Sequence, residues 1–168
     1  MTVSENPDET TTKERSNPMA KTKPPFFLTT FNTIIKTLLR VGVKIGDMTL
    51  LTVRGRKSGE PRTTPIWVTE QNGQRWVISP YGQVQWVRNL RAAGEATLTR
   101  GRHIERVSVV EPGPQEAAPL LKHSMTKLPS FLGTYFNVTQ NSSLEEFERE
   151  VLTHPLFLFE KSGTNASV

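Results

Sequence analysis

No cysteine occurs among the 168 residues, so this chain holds no disulfide, thiolate zinc site, iron–sulfur cluster or cysteine nucleophile. No apolar run approaches the roughly 18 residues that a membrane-crossing helix needs. Histidine is sparse: His103, His123 and His154 show no metal-ligand spacing. Each is expected at the surface, and no metal site is expected. Ser58 has no histidine or aspartate placed by motif to activate it, which argues against a serine hydrolase. Met1–Thr12 is acidic and polar, without the basic and apolar regions of a secretory signal, so a cytoplasmic location is expected. Acidic side chains are scarce in one stretch. Residues 26–106 carry 13 basic but only 5 acidic groups, whereas residues 107–168 carry 4 basic and 7 acidic. The middle of the chain therefore attracts anions, which leaves nucleic acid, an anionic membrane face or a phosphorylated cofactor as partners.

The organisation follows from pattern. Residues 1–25 have little to bury, and Pro7, Pro18, Pro24 and Pro25 interrupt them, which predicts a disordered arm. Residues 26–160 are long enough for one domain, and residues 161–168 read as a flexible tail. Phe27, Phe31, Ile34, Ile35, Leu38 and Leu39 recur at spacings of three and four, with Lys36, Arg40 and Lys44 set apart. They predict an amphipathic helix over 26–44 that packs on the domain, with a basic face able to touch anionic lipid. Beyond Gly46 the texture becomes that of strands: Met48–Arg54, Thr63–Glu70 and Arg75–Ser79, the last two joined by an Asn72-Gly73 hairpin signal. A short helix over Gln85–Ala93 ends at Gly94. A second hairpin joins Glu95–Arg100 to Ile104–Glu111 through a turn that includes His103. Helices over Pro114–Lys127 and Ser143–Leu152 precede a strand over Pro155–Glu160. Helices flanking paired strands imply an α+β protein around an antiparallel sheet or small barrel.

The segment richest in chemistry runs from Leu50 to Pro65. Between two strand patterns it places Gly55-Arg56-Lys57-Ser58-Gly59, then Arg62, Thr63 and Thr64. Glycines let backbone amides approach an anion, arginine forks and a lysine point charge bind phosphate oxygens, and hydroxyls add neutral donors. The spacing is neither the Walker loop nor the Gly-x-Gly-x-x-Gly fingerprint. On composition alone, a solvated basic turn accounts for it equally well.

Gly55-Arg56-Lys57-Ser58-Gly59-Glu60-Pro61-Arg62-Thr63-Thr64-Pro65, together with Trp86-Val87-Arg88-Asn89-Leu90, resembles the deazaflavin-dependent nitroreductase family from about Leu50 to Glu111. The resemblance implies a split β-barrel of the FMN-binding-like type, with the N-terminal amphipathic helix and flanking helices. It also implies hydride transfer between the deazaflavin coenzyme F420 and a small organic acceptor: a quinone, a nitro compound or an activated enone. On matching positions, Arg56, Lys57, Ser58 and Arg62 would hold the phosphate side of the coenzyme, with Thr63 and Thr64 beside them. Pro65 would shape the adjoining strand, Ser79 would approach the ring, and Trp86 and Asn89 would cover it. The link Pro80–Gln85 is shorter than the glycine-rich loop common in that family. Tyr81 therefore either replaces missing backbone contacts or caps the barrel. Tyr135 is the expected proton donor and substrate wall, and phenylalanines around it (Phe131, Phe136) suggest a drier pocket than the family's tyrosines make.

Two other readings stay open at this level. The same fold could hold flavin mononucleotide. Alternatively, the basic middle third, with Trp67, Trp76, Trp86 and Tyr81, could bind nucleic acid by stacking, or the chain could bind lipid without catalysis. No recognised nucleic-acid motif is present, and either a monomer or a homodimer fits the sequence.

Overall fold

A computed structural model describes residues 48–161. The expected arm 1–25, the helix 26–44 with its membrane contact, and residues 162–168 of the expected tail lie outside the described residues. Six strands, β1 (Met48–Arg54), β2 (Pro61–Gln71), β3 (Gln74–Ile78), β4 (Glu95–Arg100), β5 (His103–Val110) and β6 (Leu156–Lys161), close a barrel in the order β1-β2-β3-β6-β5-β4. Every pairing is antiparallel. Sequence neighbours form the hairpins β1–β2, β2–β3 and β4–β5. The last strand then inserts between β3 and β5, and the β1–β4 pairing closes the cylinder.

Strand alternation fills the interior. Leu51, Val53, Ile66, Val77, Ala96, Leu98, Val107, Phe157 and Phe159 form one buried cluster, each large member worth about 1.5–3 kcal/mol when fully withdrawn from water. The β2–β3 hairpin turns at Asn72 and Gly73, with φ of 52° and 79°, the left-handed pair that the Asn-Gly signal predicts. Helix α1 (Gln85–Ala93) caps the cylinder by inserting Val87 and Leu90 into the same cluster. It stops at Gly94, whose φ is 66° and whose N–H bonds the Leu90 carbonyl.

The outer faces of β3 and β6 carry a second apolar layer. Trp76, Ile78, Leu156 and Leu158 pack beneath α2 (Pro114–Ser124) and α4 (Leu144–Thr153), which contribute Ala117, Ala118, Leu121, Phe147 and Val151. Between those helices lies the single turn α3 (Ser130–Gly133). Ser143 caps α4 by accepting from the Glu146 N–H, while the Glu146 carboxylate accepts from the Ser143 N–H. This reciprocal pairing satisfies two otherwise orphaned donors.

Several element boundaries move. β2 starts at Pro61, two residues earlier than the sequence signals, because Arg54 and Val53 lie opposite Pro61 and Arg62 and a first strand position tolerates proline. His103 belongs to β5 opposite Arg100 rather than to the turn. β6 extends to Lys161, which pairs with Val107. α2 ends at Ser124 instead of Lys127, where Ser124 Oγ accepts from Trp76 Nε1 at 2.7 Å and donates to the Leu120 carbonyl at 2.9 Å. The chain then tightens, with the Thr126 N–H bonding the His123 carbonyl.

Candidate functional site

The β1–β2 connection is a short, stiff turn. The Gly55 N–H donates to the Glu60 carbonyl at 2.8 Å, and the Gly59 N–H donates to the Gly55 carbonyl at 2.8 Å. Gly59 adopts a φ of 72°. Gly55 is required for a different reason: a Cβ there would lie 2.9 Å from Ser58 Oγ and 3.1 Å from the Glu60 carbonyl oxygen. The hydroxyl can turn away; the backbone oxygen is fixed by the bond it accepts.

This turn leans on α1. Arg56 Nη1 donates to Asn89 Oδ1 at 3.0 Å and to Gln85 Oε1 at 2.9 Å, and the Arg56 backbone N–H also reaches Asn89 Oδ1 at 3.3 Å. Gln85 and Asn89 stand four residues apart, so one helix face presents both acceptors. Asn89 is only 6% exposed. Its oxygen is committed to the turn, and its position is set by Val87 and Leu90 gripping the barrel core.

Between turn and helix opens a groove of about 700 Å³, lined by Arg56, Lys57, Ser58, Arg62, Thr63, Thr64, Trp86 and Asn89, with Gly55, Pro61 and Gln85 completing it. Eight of the eleven expected cofactor residues thus meet on one surface. The side chains of Lys57 and Arg62 make no ion pair or hydrogen bond among the described residues, and Arg56 bonds only neutral acceptors. Arginines elsewhere contrast with these: Arg75 forms a bidentate pair with Glu105 at 2.7 and 2.8 Å, and Arg91 likewise with Glu111. A groove whose cations lack carboxylate partners is poised for an external anion. Trp86 rests against the Phe157 ring at 6.1 Å, 62° between planes. The side chain both packs on the core and supplies a flat wall.

Three expected residues lie outside that lining. Pro65 sits opposite Leu50 in the β1–β2 ladder. Ser79 is fully buried: its hydroxyl donates to the Gly82 carbonyl at 2.6 Å and its N–H to the Pro155 carbonyl at 2.9 Å. Tyr81, which follows in the same turn, stands edge-on to Tyr135, ring centroids 4.7 Å apart at 80°. Burial, then the neighbouring Tyr135 phenol, pushes the Tyr81 hydroxyl up to about 12, so it stays protonated at neutral pH. The two tyrosines, 54 positions apart in sequence, thus form one aromatic pair.

Other expectations change. His154 is not a surface residue: it is 2% exposed, its Nδ1 lies 3.2 Å from the Ser79 carbonyl, and its Nε2 lies 3.3 Å from Glu150 Oε1. His123 is partly buried with its ring edge toward Trp76, and only His103 is well exposed. The reason is tertiary, since β6 and α4 close over segments that no local pattern pairs with them. The stacking surface expected of Trp67, Trp76, Trp86 and Tyr81 does not form either, because Trp76 is fully buried and bonded to Ser124. Phe136 is core, whereas Phe131 is 56% exposed and meets the Trp67 ring edge-on. Sequence reasoning missed Gln85, whose signal was its helical spacing from Asn89. It also missed Glu150, which had none. Among the described residues no group of histidine and acidic side chains could hold a metal ion, and no helix is long and apolar enough to cross a membrane.

Comparison with known proteins adds to this geometry. The family model described as F420H(2)-dependent quinone reductase matches residues 31–142. Among solved structures, one described as a domain-swapped dimer is 19% identical with a TM-score of 0.54, covering 76% of this chain and 95% of its own. A protein of unknown function from Agrobacterium tumefaciens str. C58 is 15% identical with a TM-score of 0.52, covering 83% of this chain and 55% of its own. An F420-H2 dependent reductase (FDR-A) is 20% identical with a TM-score of 0.49, covering 68% and 94%. Among curated proteins there is no match.

Proposed function

Since the chain belongs to the F420H(2)-dependent quinone reductase family, and is thus an F420-dependent oxidoreductase on a split barrel, we propose that its coenzyme sits in the groove between the Gly55–Gly59 turn and α1. The single observation that carries this assignment is the meeting of three guanidinium and ammonium groups without carboxylate partners among the described residues, Arg56, Lys57 and Arg62, with Trp86 and Asn89 of the capping helix. The residues fit the group. Arg62 and Arg56 offer forks, Lys57 a point charge and Ser58, Thr63 and Thr64 hydroxyl donors for phosphate oxygens. Gly55 keeps the turn flat where any side chain would strike the Glu60 carbonyl. Trp86 offers the flat apolar wall that a tricyclic ring needs.

When bound, the reduced coenzyme supplies a hydride, and the protein supplies binding, orientation and electrostatics. Asn89 and Gln85 hold the Arg56 fork in place before any ligand arrives, so little ordering is left to binding. Tyr135, beside Tyr81, delivers the proton that an acceptor carbonyl or nitro oxygen takes up with the hydride, and solvent restores it. Tyr81 keeps its own proton and orients the Tyr135 phenol. Pro65 and Ser79 act from behind, Pro65 through the strand and Ser79 through the turn that carries Tyr81. The acceptor class is a quinone or nitro compound small and flat enough to lie against these rings. Family membership favours F420 over flavin mononucleotide.

Titration of the full chain with oxidised F420 and, in parallel, flavin mononucleotide tests the assignment through quenching of tryptophan fluorescence. Saturable binding of F420, lost with its phosphate-bearing side and weaker for the flavin, supports it. Flavin binding the tighter, or F420 binding unaltered by Arg56→Ala and Arg62→Ala together, would move the site elsewhere.

A further inference from the structure

The turn that carries Tyr81 is built from the inside. The Ser79 carbonyl accepts from the Gly82 N–H at 3.2 Å, Gly82 adopts a φ of 68°, and the Gly82 carbonyl accepts from Ser79 Oγ and from the Val84 N–H. One outside side chain reaches this closed circuit: His154 Nδ1, 3.2 Å from the Ser79 carbonyl across 75 positions of sequence. A carbonyl only accepts, so the contact fixes a proton on Nδ1.

The ring is buried, 2% exposed, and packed on two further sides. It lies against Phe136, centroids 4.6 Å apart. Its Nε2 faces Glu150 Oε1, and the Glu150 carboxylate is itself held by the Asn137 N–H at 2.8 Å. Phe136 immediately follows Tyr135. The histidine therefore contacts the segment that carries each tyrosine, through Ser79 in the turn of Tyr81 and through Phe136 next to Tyr135.

We propose that His154 is a positioning residue for acceptor reduction: its Nδ1–H bond to the Ser79 carbonyl fixes the turn that sets Tyr81 against Tyr135. The inference rests on the proposed role of those tyrosines. The coenzyme groove keeps an anchor of its own, because Val87 and Leu90 hold α1 in the barrel core, although Val84, the N-cap of α1, also bonds the Gly82 carbonyl of the turn.

Two substitutions divide the contacts of the ring. His154→Asn retains a donor near the Nδ1 position and loses the approach to Glu150, while His154→Gln reaches toward Glu150 and forfeits Ser79. With F420 and a soluble quinone, His154→Gln should lower kcat/KM for the quinone about tenfold, the scale of a small misplacement at a site, with the coenzyme Kd held within about twofold. His154→Asn should stay within about threefold of the unaltered chain. Equal losses in the two variants, or a coenzyme Kd that weakens in step with kcat/KM, would overturn the proposal. If neither variant folds, nitrogen NMR of the unaltered, histidine-labelled chain decides: a protonated Nδ1 at His154 is required, and an unprotonated one refutes the bond. Failure of the unaltered chain to bind F420 would instead remove the functional reading and the role of Tyr81 with it, while the NMR result still reports on Ser79.

Discussion

Replacing Asn89 by aspartate changes one atom for another of similar size and separates two roles that alanine would confound. Asn89 Oδ1 accepts from Arg56 Nη1 at 3.0 Å and from the Arg56 backbone N–H at 3.3 Å. An aspartate keeps both bonds and turns the first, already charge-assisted through the guanidinium, into an ion pair, so the turn stays docked on α1. The variant should melt at or above the temperature of the unaltered chain. The added attraction between guanidinium and carboxylate offsets the cost of placing a carboxylate at this buried position. Coenzyme binding should move the other way. The new carboxylate occupies the fork of Arg56 and puts negative charge into the groove, removing about one charge-assisted contact to phosphate. That loss is about 2 kcal/mol, or about thirtyfold in Kd. Paired fluorescence titration and thermal melts of the same sample give both readings. A Kd within about twofold of the unaltered chain would refute the placement of the phosphate beside Arg56. A lower Tm together with weaker binding would show instead that the turn has come undone.

Arg62→Ala should weaken F420 binding by about 1.5–3 kcal/mol with no change in Tm, since the Arg62 side chain bonds nothing among the described residues; the same titration measures it. Gly55→Ala should cost about 1–3 kcal/mol of stability, read as a lower urea midpoint, because a Cβ meets the Glu60 carbonyl at 3.1 Å. Tyr81 is raised from 10 to about 12 by burial first, so the folded chain holds a proton that the unfolded chain releases. That contribution is complete below pH 10 and is lost as pH climbs toward 12. Tyr81→Phe should therefore flatten the alkaline limb of a stability-against-pH curve. Glu105 lies below its ordinary value of 4.5, chiefly through its hydrogen bond to Arg75, so its contribution is present above pH 4.5 and disappears as pH falls through the lowered value. Glu105→Gln should make acid unfolding less steep in that range, as followed by circular dichroism.

The barrel was legible because each hairpin announces itself locally. Asn72-Gly73 turns β2 into β3, Gly94 stops α1 at the residue the pattern indicates, and the alternation of Arg106, Ser108 and Val110 with Val107 and Val109 identifies the face of β5 that enters the core. What was not legible is closure. Nothing local in Leu156–Lys161 says that it inserts between β3 and β5 instead of following them, and the β1–β4 pairing joins strands more than forty positions apart. Boundaries drifted for the same reason. Pro61 reads as a strand breaker until Arg54 is known to lie opposite, and Ser124 reads as mid-helix until Trp76 is known to bond it.

The same division runs through the site. The basic residues of the proposed coenzyme groove are clustered in one turn, so their spacing is visible in the sequence. Residues that hold geometry answer to a different constraint. Ser79, His154 and Glu150 are fully or almost fully buried, and their polar atoms depend on whatever element the fold brings near, with His154 Nε2 left without a hydrogen bond among the described residues. Some of their partners are remote in sequence, as with the 75 positions between His154 and Ser79. A lone histidine before Pro155 then looks like a surface residue, because sparse spacing excludes a metal site but says nothing about burial. The consequence for Ser79 is concrete. The resemblance implies a place for Ser79 near the coenzyme ring, but its hydroxyl is spent on Gly82 and its N–H on Pro155. Ser79 is therefore left to act on the proposed site only through the turn it closes, and the side chain that turn presents is Tyr81.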